Sequence, residues 1–274
     1  MTGTGALLAA LHIVVLTVGE KDPSVLAGVC ALGADTVVTF ARPSEEAAAA
    51  AAAAGLAYIP FLSVGDVEAL LDDPDRVEAL RAIPGIAGFH YYDEDVFEGH
   101  TPADEQERTY AILKALFPDA LVLYATRADL VALEPGYLDA YFRPDATDLV
   151  APYFYPVGTT TLGTFSDGDP WRAPLAALLA PLAERMSAGQ KVLPILQSFE
   201  QSGFPVGGRF PEEQLEIYRE FWPDLEDVAA FWWGDPADAT LIGLFEEPQL
   251  SSGIARLFLG LPPPDPGTRV VAPR

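Results

Sequence analysis

The sequence predicts an α/β fold, a single (β/α)8 TIM barrel, on two observations. Eight short apolar runs alternate with eight longer helical patterns within the first 260 residues. The short runs are near-continuous in apolar residues rather than alternating, as strands covered on both faces are. They fall at 12–18, 36–40, 57–62, 86–92, 121–124, 149–155, 192–196 and 229–233. The helical patterns fall at 23–32, 44–54, 67–82, 103–117, 135–142, 173–188, 211–221 and 249–259. Gly33, Gly55, Gly85 and Gly189 stand where helices should end and read as C-terminal caps. Ser44 reads as an N-cap. An open doubly wound sheet would require a glycine-rich phosphate turn after the first strand, and Val18-Gly19-Glu20-Lys21 is not one.

Residues 1–260 are read as one barrel domain and 261–274 as a proline-rich tail that cannot be helical, with Pro262-Pro263-Pro264 at its start. The connection 158–171, rich in Thr, Gly and Asp, is long enough to wall a cleft.

Composition narrows the ligand classes. Half of the 274 residues are hydrophobic, so a large core is available. The net charge of −24 argues against nucleic acid, anionic membranes and phosphate-rich ligands, and suits neutral or cationic ones. The one cysteine, Cys30, excludes an intrachain disulfide and a cysteine zinc site; its apolar helical setting reads as core. The apolar run 6–18 is too short to span a bilayer and has no basic residue before it, so a cytoplasmic protein is expected.

In a barrel the chemistry sits at the C-terminal ends of the strands. Reading those ends in order gives Glu20, Arg42, Ser63, Asp93 and Glu94, and Arg127. Tyr153 and Tyr155, Gln197 and Glu200, and Trp232 and Trp233 follow. Clustered acids at the end of the buried run 86–92 are costly unless they sit in a polar pocket. Carboxylates with tyrosines and tryptophans suit a sugar: acids for proton transfer and nucleophilic attack, rings for stacking on the C–H face. Asp93, Glu94 and Asp95 crowd one another, which raises the pKa of the most buried. Arg42 is the expected cationic neighbour that keeps Glu200 ionised. His90, inside its strand, reads as a hydrogen-bonded core histidine, and His100 as a loop residue lining the cleft.

These strand ends resemble the large clan of retaining (β/α)8 glycoside hydrolases, with a strand-4 acid/base Glu and a strand-7 nucleophile Glu. The matches are Arg42 in Val-Val-Thr-Phe-Ala-Arg, Glu94 in Tyr-Tyr-Asp-Glu and Glu200 in Leu-Gln-Ser-Phe-Glu-Gln-Ser-Gly. Tyr153 or Tyr155 matches the strand-6 tyrosine, and Trp232 or Trp233 the tryptophan under the sugar. The resemblance implies that Glu94 is the general acid/base and Glu200 the nucleophile. It implies that Asp93, Arg42 and Tyr155 orient them, with a carbohydrate or polyol substrate and no cofactor. Asp93 stands where the clan has an Asn that contacts the sugar 2-hydroxyl. That departure motivates a second reading, a barrel that binds a glycan without cleaving it. A third is opening of another acid-labile ring, such as an epoxide.

Rival chemistries fit less well. Asp93, Asp95, Glu98 and His100 offer ligands for a divalent ion, but no His-x-His pair accompanies them, so no metal is expected. Of the three lysines only Lys21 falls at a strand end, which disfavours a Schiff base.

Overall fold

The structure, a computed structural model, describes residues 11–16, 19–92, 101–160, 163–166, 170–187, 189–201, 204, 209–232, 241–242 and 248–261. Within them all eight apolar runs are strands. They are β1 His12–Leu16, β2 Thr36–Thr39, β3 Ala57–Ile59, β4 Gly88–Tyr92, β5 Leu121–Arg127 and β6 Leu149–Tyr153. β7 comes in two pieces, Lys191–Val192 and Ile195–Gln197, and β8 is Val228–Trp232. The helices are α1 Pro23–Ala31, α2 Glu45–Ala53, α3 Val64–Ala69, α4 Pro74–Ala82, α5 Ala103–Leu116, α6 Leu130–Leu133 and α7 Tyr137–Tyr141. α8 Arg172–Arg185, α9 Phe210–Phe221 and α10 Pro248–Phe258 complete the set.

The eight strands are parallel and lie in the order β3-β2-β1-β8-β7-β6-β5-β4, each laddered to its sequence neighbours except across β3–β4. β1 closes onto β8 in the register Val14↔Ala230, and β1 onto β2 in the register Val14↔Val37. At the β3–β4 seam the contacts are the bridges Tyr58↔Ile86 and Phe61↔His90. Four backbone hydrogen bonds run beside them: Tyr58 N–H to Gly85, Ala87 N–H to Tyr58, His90 N–H to Pro60 and Leu62 N–H to His90. The chain is a single (β/α)8 barrel.

Side chains alternate as a pleat requires. Ile13, Val15, Val38, Ile59, Leu123 and Ile195 fill the interior. Val14, Leu16, Val37, Tyr58, Val122 and Leu196 face the helices. Aspartates that precede strands pin the end of the barrel opposite the C-terminal ends of the strands. Asp35, Asp148 and Asp227, just before β2, β6 and β8, accept the amides of His12, Val122 and Leu11 at 3.2, 2.9 and 2.8 Å. Each bond ties a strand start to its neighbour and helps fix register. Asp148 also accepts from Tyr110 at 2.9 Å and Lys114 at 3.1 Å. Burial, with Asp148 adding to it, pushes the Tyr110 phenol up to about 12.

The helix-end signals operate as expected. Ser44 Oγ accepts the Ala47 amide at 3.1 Å, and Gly33 and Gly55 take φ values of 90° and 80°, left-handed positions that favour glycine. Three details differ from the sequence reading. The pattern 67–82 is two helices, because Asp73 caps a new start through the Arg76 amide with Pro74 at its first position. β7 is interrupted at Leu193-Pro194, where proline has no N–H for the ladder. Cys30 is exposed: α1 buries Leu26 and Val29, and the next residue is turned about 100° from Val29. The tail beyond Leu261 lies outside the described residues.

His90 is a strut inside the barrel. Its ring is 1% exposed, and Nε2 lies 2.7 Å from the Thr39 carbonyl, so β4 is linked to β2 past the intervening β3. A carbonyl only accepts, so Nε2 carries the proton of the neutral ring. Burial moves the imidazole pKa down to about 4, against the opposing pull of the Thr39 carbonyl.

Two outcomes follow from this packing. At Gly88 an added Cβ would lie 2.2 Å from the Leu121 carbonyl oxygen, because β4 and β5 approach closely there. Gly88→Ala should destabilise by about 3 kcal/mol or more; urea unfolding near the wild-type midpoint would contradict this. For His90 the unfolded chain takes up the proton first as pH falls below 6.5, so stability declines from there down to about pH 4. The full loss is on the order of 3 kcal/mol. His90→Gln should flatten that part of the pH–stability curve, read by urea titrations at pH 7 and 4.5; equal slopes for both proteins would refute the burial argument.

Candidate active site

The inward positions change character towards the C-terminal mouth. Two residues past Val38, Ile59 and Ala229 come Phe40, Phe61 and Phe231, and past Ala151 come Tyr153 and Tyr155. Phe199 lies four past Ile195. Aliphatic side chains thus fill the lower barrel and aromatic ones cap it. The rings form a connected layer. Phe61 lies 5.4 Å and Phe40 5.8 Å from His90, and Phe40 lies 6.2 Å from Phe231. Tyr155 lies 5.4 Å from Phe231, 5.0 Å from Phe199 and 5.4 Å from Tyr153. Tyr153, Phe199 and Phe231 are buried; Phe40, Phe61 and Tyr155 are half-buried. Ring edges and faces at these spacings attract through their quadrupoles as well as through burial.

Tyr153 and Tyr155 therefore share the inward face, Tyr155 more exposed and Tyr153 beneath it. The sequence reading singled out these two but missed Phe40, Phe61, Phe199 and Phe231. The signal was present: Phe40, Phe61 and Phe231 are each the next inward residue, at period two, beyond an aliphatic core position, and Phe199 is two periods beyond Ile195.

The polar groups around this layer are already engaged. Gln197 is fully buried and its amide closes on the backbone of Val157, accepting from its N–H at 3.0 Å and donating to its carbonyl at 2.8 Å. Its own backbone exchanges two bonds with the Gln214 side chain of α9. Gln197 thus clasps the start of the 158–171 connection, where a short antiparallel hairpin forms, Gly158–Thr160 with Gly163–Phe165. Ser198 Oγ donates to the Phe231 carbonyl, joining β7 to β8 at the mouth.

Arg42 is largely exposed and pairs with Asp66 at 3.3 Å, so its carboxylate partner is on α3. Arg76 reaches the same carboxylate at 3.0 Å, and Ser63 Oγ donates to it at 2.8 Å within the capping box of α3. Burial opposes ionisation of Asp66, but the Ser63 and Arg76 hydrogen bonds and the Arg42 charge outweigh it, holding its pKa below the usual range. Arg127, the inward residue that ends β5, is clamped by Asp129 through both Nε and Nη2, at 3.2 and 2.8 Å. The bidentate fork fixes the guanidinium plane.

Asp93, Glu94, His100 and Trp233 lie outside the described residues, as do the side chains of Glu200 and Trp232. What the structure describes is the backbone leading to them. β4 runs to Tyr92 in register with Ala125, two residues short of Glu94 on one strand and of Arg127 on the other. Three residues past β7, Glu200 and Gln201 pair antiparallel with Ile242 and Leu241 in the β8–α10 connection. Among the described residues no three His, Cys, Asp or Glu side chains converge as a metal site, and no helix is long and apolar enough to cross a membrane.

No family model matches the chain, and no curated protein matches it. Solved structures similar in fold include glycoside hydrolases and a glucanosyltransferase. A β-1,3-glucanosyltransferase from Rhizomucor miehei in complex with laminaritriose superposes with a TM-score of 0.56 at 13% identity, over 85% of this chain and 92% of that one. A β-D-glucuronidase from Dictyoglomus thermophilum gives 0.55 at 11%, over 92% of this chain and 50% of that one. A GH2 β-galacturonidase from Eisenbergiella tayi bound to galacturonate gives 0.52 at 14%, over 89% and 48%. The chain spans about half the length of the two uronidases. At these identities the likeness is one of fold: a (β/α)8 barrel of the kind that glycoside hydrolases use.

Proposed function

We propose that this protein is a glycoside hydrolase-like enzyme that cleaves a glycosidic bond with two carboxylates and retains anomeric configuration. Glu94 protonates the leaving oxygen while Glu200 attacks the anomeric carbon. The glycosyl–Glu200 ester is then hydrolysed by a water that Glu94, now the base, deprotonates. Asp93 supports Glu94; Trp232 or Trp233 stacks on the ring, and His100 lines the cleft. Tyr155 contributes from the aromatic layer. Arg42 acts at the rim through Asp66, and Gln197 by holding the Val157 turn.

The observation that carries this reading is the aromatic layer. Half-buried Phe40, Phe61 and Tyr155 form an apolar floor at the end of the barrel where β4 leads to Glu94 and β7 to Glu200. Such a floor matches the C–H face of a pyranose and lowers the local dielectric around an acid that must hold its proton. The fold likeness to glycoside hydrolases agrees with it. A second reading, glycan binding without cleavage, rests on Asp93 in place of Asn; binding without turnover would distinguish it.

On a panel of activated aryl glycosides, Glu94→Gln and Glu200→Gln should each lower kcat by about a hundredfold or more with melting behaviour unchanged. The first-formed hemiacetal, read by NMR, should keep the substrate's anomeric configuration. Wild-type rates in both variants would end the proposal.

A further inference from the structure

We infer that the end of the barrel opposite the mouth carries a second, non-catalytic site that binds a neutral sugar; the inference stands apart from the chemistry proposed for the mouth. A cavity of about 410 Å³ lies between the helix-to-strand connections that lead into β7 and β8. That volume is in the range of small-molecule sites. Both walls are fixed before any ligand arrives. On the β7 side, Gly189 takes a φ of 85°, and the Gln190 side-chain amide donates to the Thr147 carbonyl at 3.2 Å. On the β8 side, the Trp222 N–H donates to the Tyr218 carbonyl at 3.0 Å and the Leu225 N–H to the Trp222 carbonyl at 3.1 Å. The Arg219 guanidinium holds the Leu225 carbonyl through two nitrogens, each at 3.4 Å. Half-buried Trp222 lines the cavity, with the fully buried ring of Tyr218 stacked on it at 6.3 Å and 24°. An aromatic wall held in this way lowers the ordering cost of binding.

The polar groups around that wall define the ligand. Lys191 lines the cavity together with Asp224, Glu226 and Asp227, yet among the described residues its ammonium is within ion-pair distance of none of them. Asp227 is engaged by the Leu11 amide at 2.8 Å. The cavity thus keeps a strong donor apart from carboxylate acceptors. A sugar hydroxyl both donates and accepts, so one ring can meet the ammonium and the carboxylates through its hydroxyls while its C–H face lies on the indole. An anionic ligand would face three acids against one lysine, and a purely apolar one would desolvate these charges without replacing their water. At the N-terminal end of the strands a barrel performs no chemistry, so the site binds without cleaving.

The test titrates the whole protein with maltotriose, cellotriose and laminaritriose and follows the indole N–H signals of its four tryptophans by NMR. The Trp222 signal is identified by its absence in Trp222→Phe. At least one trisaccharide should shift that signal saturably, with millimolar affinity. Lys191→Ala and Asp224→Ala, both at exposed positions, should each weaken this binding about fivefold with thermal melting and aryl glycoside turnover unchanged. No saturable shift at Trp222 with any of the three sugars, or wild-type affinity in both exposed variants, would overturn the inference. Either of those results would leave the hydrolase proposal standing, because its residues are at the other end of the barrel.

Discussion

Closure of the barrel between β3 and β4 is the constraint on which the rest depends. β3 is short, Ala57–Ile59, and the seam is held by the isolated bridges and by the hydrogen bonds of Tyr58, Ala87, His90 and Leu62. A ring of parallel strands has no free edge and sends every C-terminal end to one mouth. An open sheet with the same strands would spread those ends along a line. The imidazole of His90 strengthens this weak seam from inside by reaching Thr39 across β3. Its neutrality is a condition of that position, since a protonated ring would sit among Phe40, Phe61 and aliphatic core without solvent.

The two ends of the barrel have different tasks. Below, Asp35, Asp148 and Asp227 accept strand amides and hold register. Above, the aspartates engage cations instead: Asp66 takes Arg42 and Arg76, and Asp129 takes Arg127. The acidic composition is thus partly structural on both faces. Between them the interior grades from aliphatic to aromatic, so the floor of the mouth is the top layer of the core. On the proposed sugar-site reading, binding and folding share those rings, and substitutions at Phe40 or Tyr155 would be felt in both.

Much of the fold was legible in the sequence because it depends on local patterns. Continuous apolar runs marked all eight strands, and Gly33 and Gly55 marked helix ends through a backbone conformation favourable to glycine. The errors also had local causes: Asp73-Pro74 restarts a helix, Pro194 breaks β7, and Cys30 sits one residue off the buried stripe of α1. The site was less legible because side-chain partners are set by three-dimensional neighbours. Arg42 follows β2, yet its partner is Asp66 on α3, and Gln197, at a strand end, is bound to Val157. The aromatic floor lay between these cases: period two places Phe40, Phe61 and Phe231 inward, but only closure of the ring brings them into one layer.

The central claim is that two strand ends of one closed barrel deliver a nucleophile and an acid to the same sugar. The most direct measurement is intact-mass and peptide mapping after incubation with activated 2-deoxy-2-fluoro glycosides, which slow breakdown of a glycosyl ester. One glycosyl adduct per chain is expected, mapped to Glu200, and among the fluoro glycosides its formation in Glu94→Gln should slow most for those with the poorest leaving group. Turnover of unfluorinated glycosides with the adduct on another residue, or with none on Glu200, would contradict it.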